Sequence, residues 1–135
     1  MIPAANSKGG NIVKIHLSQQ VKALLNELKK VYNSCYVLPG IDLVRRPLTE
    51  DALPRAVQRI QDRVGIPNWT AHDLRRTFAT QLGQTLNVDP VVIEKCLGHK
   101  MPKIMATYNK NEMLLQRQEA LDQWGLYVEQ FVTTE

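Results

Sequence analysis

At 135 residues the chain is the size of one domain, large enough to bury a core without disulfide or metal support. With 44% apolar and 22% charged residues it reads as an ordinary globular protein. No apolar run approaches the roughly 18 residues that a membrane-spanning helix needs. The opening MIPAANSKGG lacks the apolar core of a secretion signal, so the expectation is a cytosolic protein. Two cysteines, Cys35 and Cys96, make no disulfide framework, and no C-x-x-C suggests zinc. Both are expected as reduced core residues.

The net charge of +4 is unevenly spread. Residues 1–110 carry 16 Lys/Arg against 8 Asp/Glu, a net of +8. Residues 111–135 carry Arg117 against Glu112, Glu119, Asp122, Glu129 and Glu135, a net of −4. A basic body suits a polyanionic partner, whereas an acidic tail suits packing on protein.

In chain order, residues 1–17 alternate like strands around SKGGN, with Ile2 on one side and Ile12, Ile15 and Leu17 on the other. Gly9-Gly10-Asn11 supplies the positive-φ residues of a hairpin turn, which places Lys8 at or just before the tip and Lys14 in the second strand. Ser18 is a candidate N-cap for a helix over 20–32, with Val21, Leu24, Leu25, Leu28 and Val31 at helical spacing. Its Lys22, Lys29 and Lys30 read as solvent-facing. CYVLPG is a short extended run, followed by Arg45-Arg46. Thr49 is read as opening a second helix with Leu53, Ala56, Val57 and Ile60 on one face and Pro54 near its first turn; Gly65-Ile66-Pro67 ends it. The arginines 45, 46, 55, 59 and 63 give this region a basic surface, with Arg45 and Arg46 the candidates for phosphate contact.

Thr70 and Asp73 have the spacing of a capping box at the start of a third helix, whose apolar face is Phe78, Ala79, Leu82 and Leu86. His72 lies in its first turn, where backbone N–H groups also favour an anion. Arg75, three residues on, shares its face, while Arg76 points about 100° away. Asp89-Pro90 starts a fourth helix that Gly98 terminates, and His99 follows directly, flanked by Lys100 and Lys103. A histidine in that place also suits simple capping of the helix end. Pro102 is read as starting a short helix that ends near Tyr108. The tail from Glu112 to Phe131 is expected to be helical, with Leu114, Leu121, Trp124, Val128 and Phe131 on one stripe. Two imidazoles, a guanidinium and a phenol are parts suited to a phosphodiester: Arg matches phosphate oxygens, His carries protons near neutral pH, and a Tyr oxygen can attack.

The ordered set HDLR at 72–75, LGH at 97–99 and Tyr108 nine residues later resembles the tyrosine recombinases, or phage-type integrases. The lead IPAANSKGGNIVKIHLS is similar to the hairpin of the prophage-integrase subgroup. The resemblance implies a mainly α fold with a small N-terminal β-hairpin or sheet, part of the integrase catalytic core (the DNA breaking-rejoining enzyme fold). Its expected layout is a hairpin over 1–17, a helical body over 18–110 and a tail helix over 111–135. It implies site-specific DNA recombination, the integration or excision of a mobile element, through a 3′-phosphotyrosyl intermediate. Tyr108 would be the nucleophile, Arg75 and His99 ligands of the non-bridging oxygens, His72 the proton acceptor or phosphate-orienting group, and Lys8 the proton donor to the leaving oxygen. Lys14, Arg45, Arg46, Lys100 and Lys103 would contact DNA. No metal, nucleotide or other cofactor is expected, nor a membrane or a small-molecule substrate. The expected partner is double-stranded DNA at attachment sites, with self-association on DNA through the tail helix and a cytoplasmic, nucleoid-associated location in a bacterium or phage.

Family proteins use a further arginine upstream of the hairpin and a separate DNA-clamping domain, neither of which has a counterpart within these residues. The chain is therefore read as the C-terminal part of a catalytic domain. It is expected to be weak or inactive alone, because one such phosphate donor is worth about 10²–10³ in rate. The alternative reading is a non-catalytic basic helical module for DNA binding or oligomerisation.

Overall fold

Helix signals in the sequence become helices where their caps are strong. The computed structural model describes residues 1–6, 10, 12–32, 34–40, 46–66, 68–99 and 111–132. Among them are five α-helices: α1 (Gln19–Val31), α2 (Ala52–Val64), α3 (Ala71–Gln84), α4 (Pro90–Leu97) and α5 (Leu114–Glu129). The chain is mainly helical, and the described residues form no sheet. They divide into two compact units, Val21–Gln81 and Met1–Gln20 with Leu82–Glu135.

In the unit Val21–Gln81, α1 runs close to its expected bounds, with Lys22, Lys29 and Lys30 exposed. The CYVLPG run folds back on the chain through one antiparallel bridge, Pro39 with Pro47. Leu48 N–H donates to the Leu38 carbonyl at 2.9 Å, and Gly40 N–H to that of Arg46 at 2.9 Å. Helix α2 starts later than Thr49: the Ala52 N–H closes a turn on the Thr49 carbonyl at 3.0 Å, and Asp51 holds the cap position. Pro54 is then the third helical residue, where a missing N–H leaves no intrahelical bond unmade. Gly65, at φ +65°, ends α2 by donating to the Gln61 carbonyl. Of the expected α2 stripe, Val57 is buried, whereas Leu53 and Ile60 stay exposed. Cys35 is exposed, not a core residue; it sits in a turn with no helix face to carry it inward.

In the second unit the core is Leu82, Val92, Ile93 and Ala120. Leu82 is 0% exposed, the end point of the α3 apolar face. Asp89 caps α4 by accepting from Val91 N–H at 2.7 Å, with Pro90 at the first helical position. Helix α4 packs against α5. On α5 the middle of the expected stripe, Leu121 and Trp124, is half-buried on the face that also buries Ala120 and Gly125, while its ends are exposed, Phe131 at 68% and Leu114 at 43%. The side chains of Ser18 and Gln20 approach α5 at Gly125. A Cβ on Gly125 would lie 2.9 Å from Ser18 Oγ, closer than packing tolerates.

Residues 14–18, an extended segment, dock on α5 at two-residue spacing, and Gln20 in the first turn of α1 adds a further contact. Arg117 Nη2 donates to the Lys14 carbonyl at 2.7 Å, His16 Nε2 lies 2.7 Å from Asp122 Oδ1, Ser18 is buried, and Gln20 Nε2 donates to Glu129 Oε2 at 2.8 Å. The acidic tail is thus anchored within its own unit. Cys96 is half-buried beside Arg117, and burial pushes its thiol up despite that neighbour. Of the hairpin expected over 1–17, the described residues carry one antiparallel bridge, with Ile2 N–H to Val13 O at 2.7 Å and Val13 N–H to Ile2 O at 3.0 Å. Gly10 has the positive φ, +68°, that the turn signal anticipates.

Candidate active site

The first cluster is the start of α3. Thr70 and Asp73 satisfy each other reciprocally: Asp73 N–H donates to Thr70 Oγ1 at 3.3 Å, Thr70 N–H to Asp73 Oδ2 at 3.0 Å, and the Thr70 hydroxyl to the same oxygen at 2.7 Å. The hydroxyl bond above all, then the backbone bond, holds the Asp73 carboxyl below its ordinary 3.8. This box fixes the turn that carries His72 and Arg75, both exposed at three-residue spacing. His72 borders a cavity of about 620 Å³ whose walls include Val57, Gln61 and Trp69. The Gln61 amide donates to the Trp69 carbonyl and ties α2 to the residues before α3. Arg76 turns to Asp73 at 3.5 Å, consistent with its place off the His72–Arg75 face.

The second cluster is the end of α4. Gly98, at φ +68°, reverses the chain after the last helical turn and donates to the carbonyls of Glu94 and Lys95. His99 then comes back over that turn. Its N–H donates to the Glu94 carbonyl at 3.1 Å, and its Nδ1 lies 2.7 Å from Glu94 Oε2. Glu94 was not among the residues singled out from the sequence. The signal that could have found it is an acidic residue five positions before a histidine that directly follows a helix-ending glycine. Lys95, the next residue, donates from Nζ to the Asn111 carbonyl, the first described residue beyond this segment.

Among the DNA-contact candidates, Arg46 is exposed and borders a groove of about 590 Å³ together with Arg55 and Arg59. Arg55 also pairs loosely with Asp51, at 3.9 Å. Lys14 is exposed, its carbonyl held by Arg117. His72 and Arg75 thus share one helix turn, and His99 stands in the other unit with Glu94. Lys8, Arg45, Lys100, Lys103 and Tyr108 lie outside the described residues, as does the short helix expected before Tyr108. Among the described residues no three His, Cys, Asp or Glu side chains are grouped to hold a metal ion.

The described residues make a mainly helical protein of net charge +4, with His72 and Arg75 exposed at the start of one helix and His99 exposed after the end of another. The sequence matches the phage integrase family over residues 1–114, and the chain belongs to that family. The match takes in HDLR, LGH and Tyr108 and ends at the first residue of α5. Membership carries site-specific recombination as the general activity and DNA as the partner. No curated protein and no solved structure gives a significant match. Among the described residues no helix is long and apolar enough to cross a membrane.

Proposed function

We propose that the chain supplies the tyrosine nucleophile and part of the phosphate-binding set of a prophage-type integrase. One observation carries this reading: within the family match, HDLR, LGH and Tyr108 stand in order, and the first two sit at capped helix ends that present His72, Arg75 and His99 at accessible positions.

In the proposed reaction the Tyr108 hydroxyl oxygen attacks the scissile phosphorus. The P–O5′ bond breaks, giving a 3′-phosphotyrosyl link and a free 5′-hydroxyl. His72 accepts the tyrosine proton or orients the phosphate, and Lys8 protonates the departing 5′-oxygen. Arg75 and His99 hold the non-bridging oxygens as charge builds on the pentacoordinate phosphorus. The covalent ester conserves the energy of the broken bond, so religation is the same step in reverse. Lys14, Arg45, Arg46, Lys100 and Lys103 contact the DNA backbone, and the groove beside Arg46 adds Arg55 and Arg59 to that set.

On DNA, the tail helix is assigned the self-association of neighbouring copies. Its Ala120–Gly125 face is taken by its own unit, and exposed apolar side chains such as Leu115, Leu126 and Phe131 are available to a neighbouring copy. The reaction on chromosomal or phage DNA places the protein in the cytoplasm at the nucleoid.

Trapping on nicked suicide duplexes that span the ends of the encoding element tests the reading. The expected result is a weak covalent protein–DNA band on a denaturing gel, strengthened when an upstream arginine-bearing segment is supplied, that disappears in Tyr108→Phe while DNA binding persists. Binding with no adduct, also after an upstream segment carrying the family's further arginine is supplied, would favour the non-catalytic DNA-binding module instead.

A further inference from the structure

The motif set accounts for His99 but leaves unexplained the carboxylate that meets it. We propose that Glu94 is the positioning residue of His99, fixing which ring nitrogen faces the DNA phosphate. This rests on the reading of His99 as a phosphate ligand.

Glu94 holds His99 twice. Its carbonyl accepts the His99 backbone N–H at 3.1 Å, and its Oε2 sits 2.7 Å from the ring Nδ1. The first contact sets where the residue stands; the second sets the ring plane. An ionised carboxylate only accepts, so the proton in this pair belongs to Nδ1. The nitrogen left for a ligand is Nε2. With Nδ1–H committed, Nε2 donates to a phosphate oxygen when the ring carries both protons and accepts when it carries one. The partner of one ring nitrogen therefore dictates the role of the other.

Two further observations separate positioning from simple capping. The αL glycine already satisfies the end of α4 through its own N–H, so the helix does not need the Glu94 side chain to terminate. Glu94 and His99 side chains are 47% and 48% exposed, and an ion pair that open contributes little to stability. The pair stands on a firm support, because Val92 and Ile93 on the same short helix are buried and α4 packs on α5.

The test uses the chain labelled with ¹⁵N at histidine, read by long-range ¹H–¹⁵N correlation at alkaline pH, where imidazole is neutral. His99 is expected as the Nδ1–H tautomer in the wild type and in Glu94→Gln, whose amide oxygen still accepts. In Glu94→Ala it is expected to revert to the Nε2–H form that an unpartnered histidine favours. On the nicked duplex, Glu94→Ala should slow adduct formation by about 10–100-fold, the scale on which partners of a functional histidine act, with DNA affinity unchanged and Glu94→Gln largely rescued. An Nε2–H tautomer in the wild type, or one unaltered by Glu94→Ala, overturns the proposal. So does a Glu94→Ala adduct rate equal to wild type while His99→Ala is slow. Wild-type trapping by His99→Ala would instead sink the phosphate-ligand reading of His99, leaving the tautomer result to judge the pair.

Discussion

His72 and His99 sit at opposite kinds of helix end, and each is held by different means. The start of α3 is fixed chiefly by the Thr70–Asp73 bonds, with the Gln61 amide on the Trp69 carbonyl just before them, and none of these uses the imidazole of His72. His99 follows the end of α4 and is gripped at both backbone and ring by Glu94, on a helix whose place depends on Val92 and Ile93 being buried and on α5 beside it. One site is secured mainly by bonds within a turn, the other by such bonds mounted on a packed helix pair. Damage to the core should therefore reach His99 first, and damage to a cap should reach His72 first.

The strongest way to break that asymmetry is Leu82→Ala. Leu82 is fully buried, and truncation there is expected to cost about 2–5 kcal/mol in chemical denaturation. Histidine NMR signals should show His99 losing its fixed environment before His72 does; equal loss at both would mean that the two sites share one cooperative support. A smaller effect is expected from Gly125→Val, which drives a side chain into Ser18 and the 14–20 segment. Overpacking of this kind costs about 1–3 kcal/mol. It should weaken the His16–Asp122 and Arg117–Lys14 contacts, seen as faster amide exchange over residues 14–20, with the α3 start undisturbed.

The smallest effect sharpens the comparison from the other side. Thr70→Ala removes the hydroxyl that both donates to Asp73 and accepts from its N–H, a loss of about 0.5–2 kcal/mol by thermal melting. The same box gives a pH signature. The folded Asp73 carboxyl titrates below 3.8, so its contribution is complete above about pH 5 and is lost as pH falls through the lowered folded value. The Asp73 and Thr70 amide shifts should report that titration, and Thr70→Ala should move it back toward 3.8. Signals of His99 should not follow Thr70→Ala.

Helix starts and stops were legible wherever a short-range rule fixes them. Thr70–Asp73, Asp89-Pro90, Gly65 and Gly98 all do in space what their spacing announces, because capping involves residues within a turn of one another. Thr49 misled by a few residues: its carbonyl closes a turn ahead of α2, and a cap residue looks the same in sequence whether its turn precedes or begins the helix. The exposed ends of the α5 stripe and the exposed Cys35 depart from the sequence reading for another reason. Periodicity marks a face that could be buried, but which part is covered depends on what arrives against it.

By itself, then, the sequence determined the family, the helical class, the capped ends that carry His72, Arg75 and His99, and the order of the motif residues. Those are properties of neighbours along the chain and of residue types in a fixed order. Tertiary structure alone decided that α5 packs through Ala120 and Gly125, that residues 14–20 run along it through Arg117, Asp122 and Glu129, and that Glu94 meets the His99 ring. Each of these needs the direction of a backbone after a turn or the approach of a distant segment, and contact across such distances leaves no spacing in the chain to read.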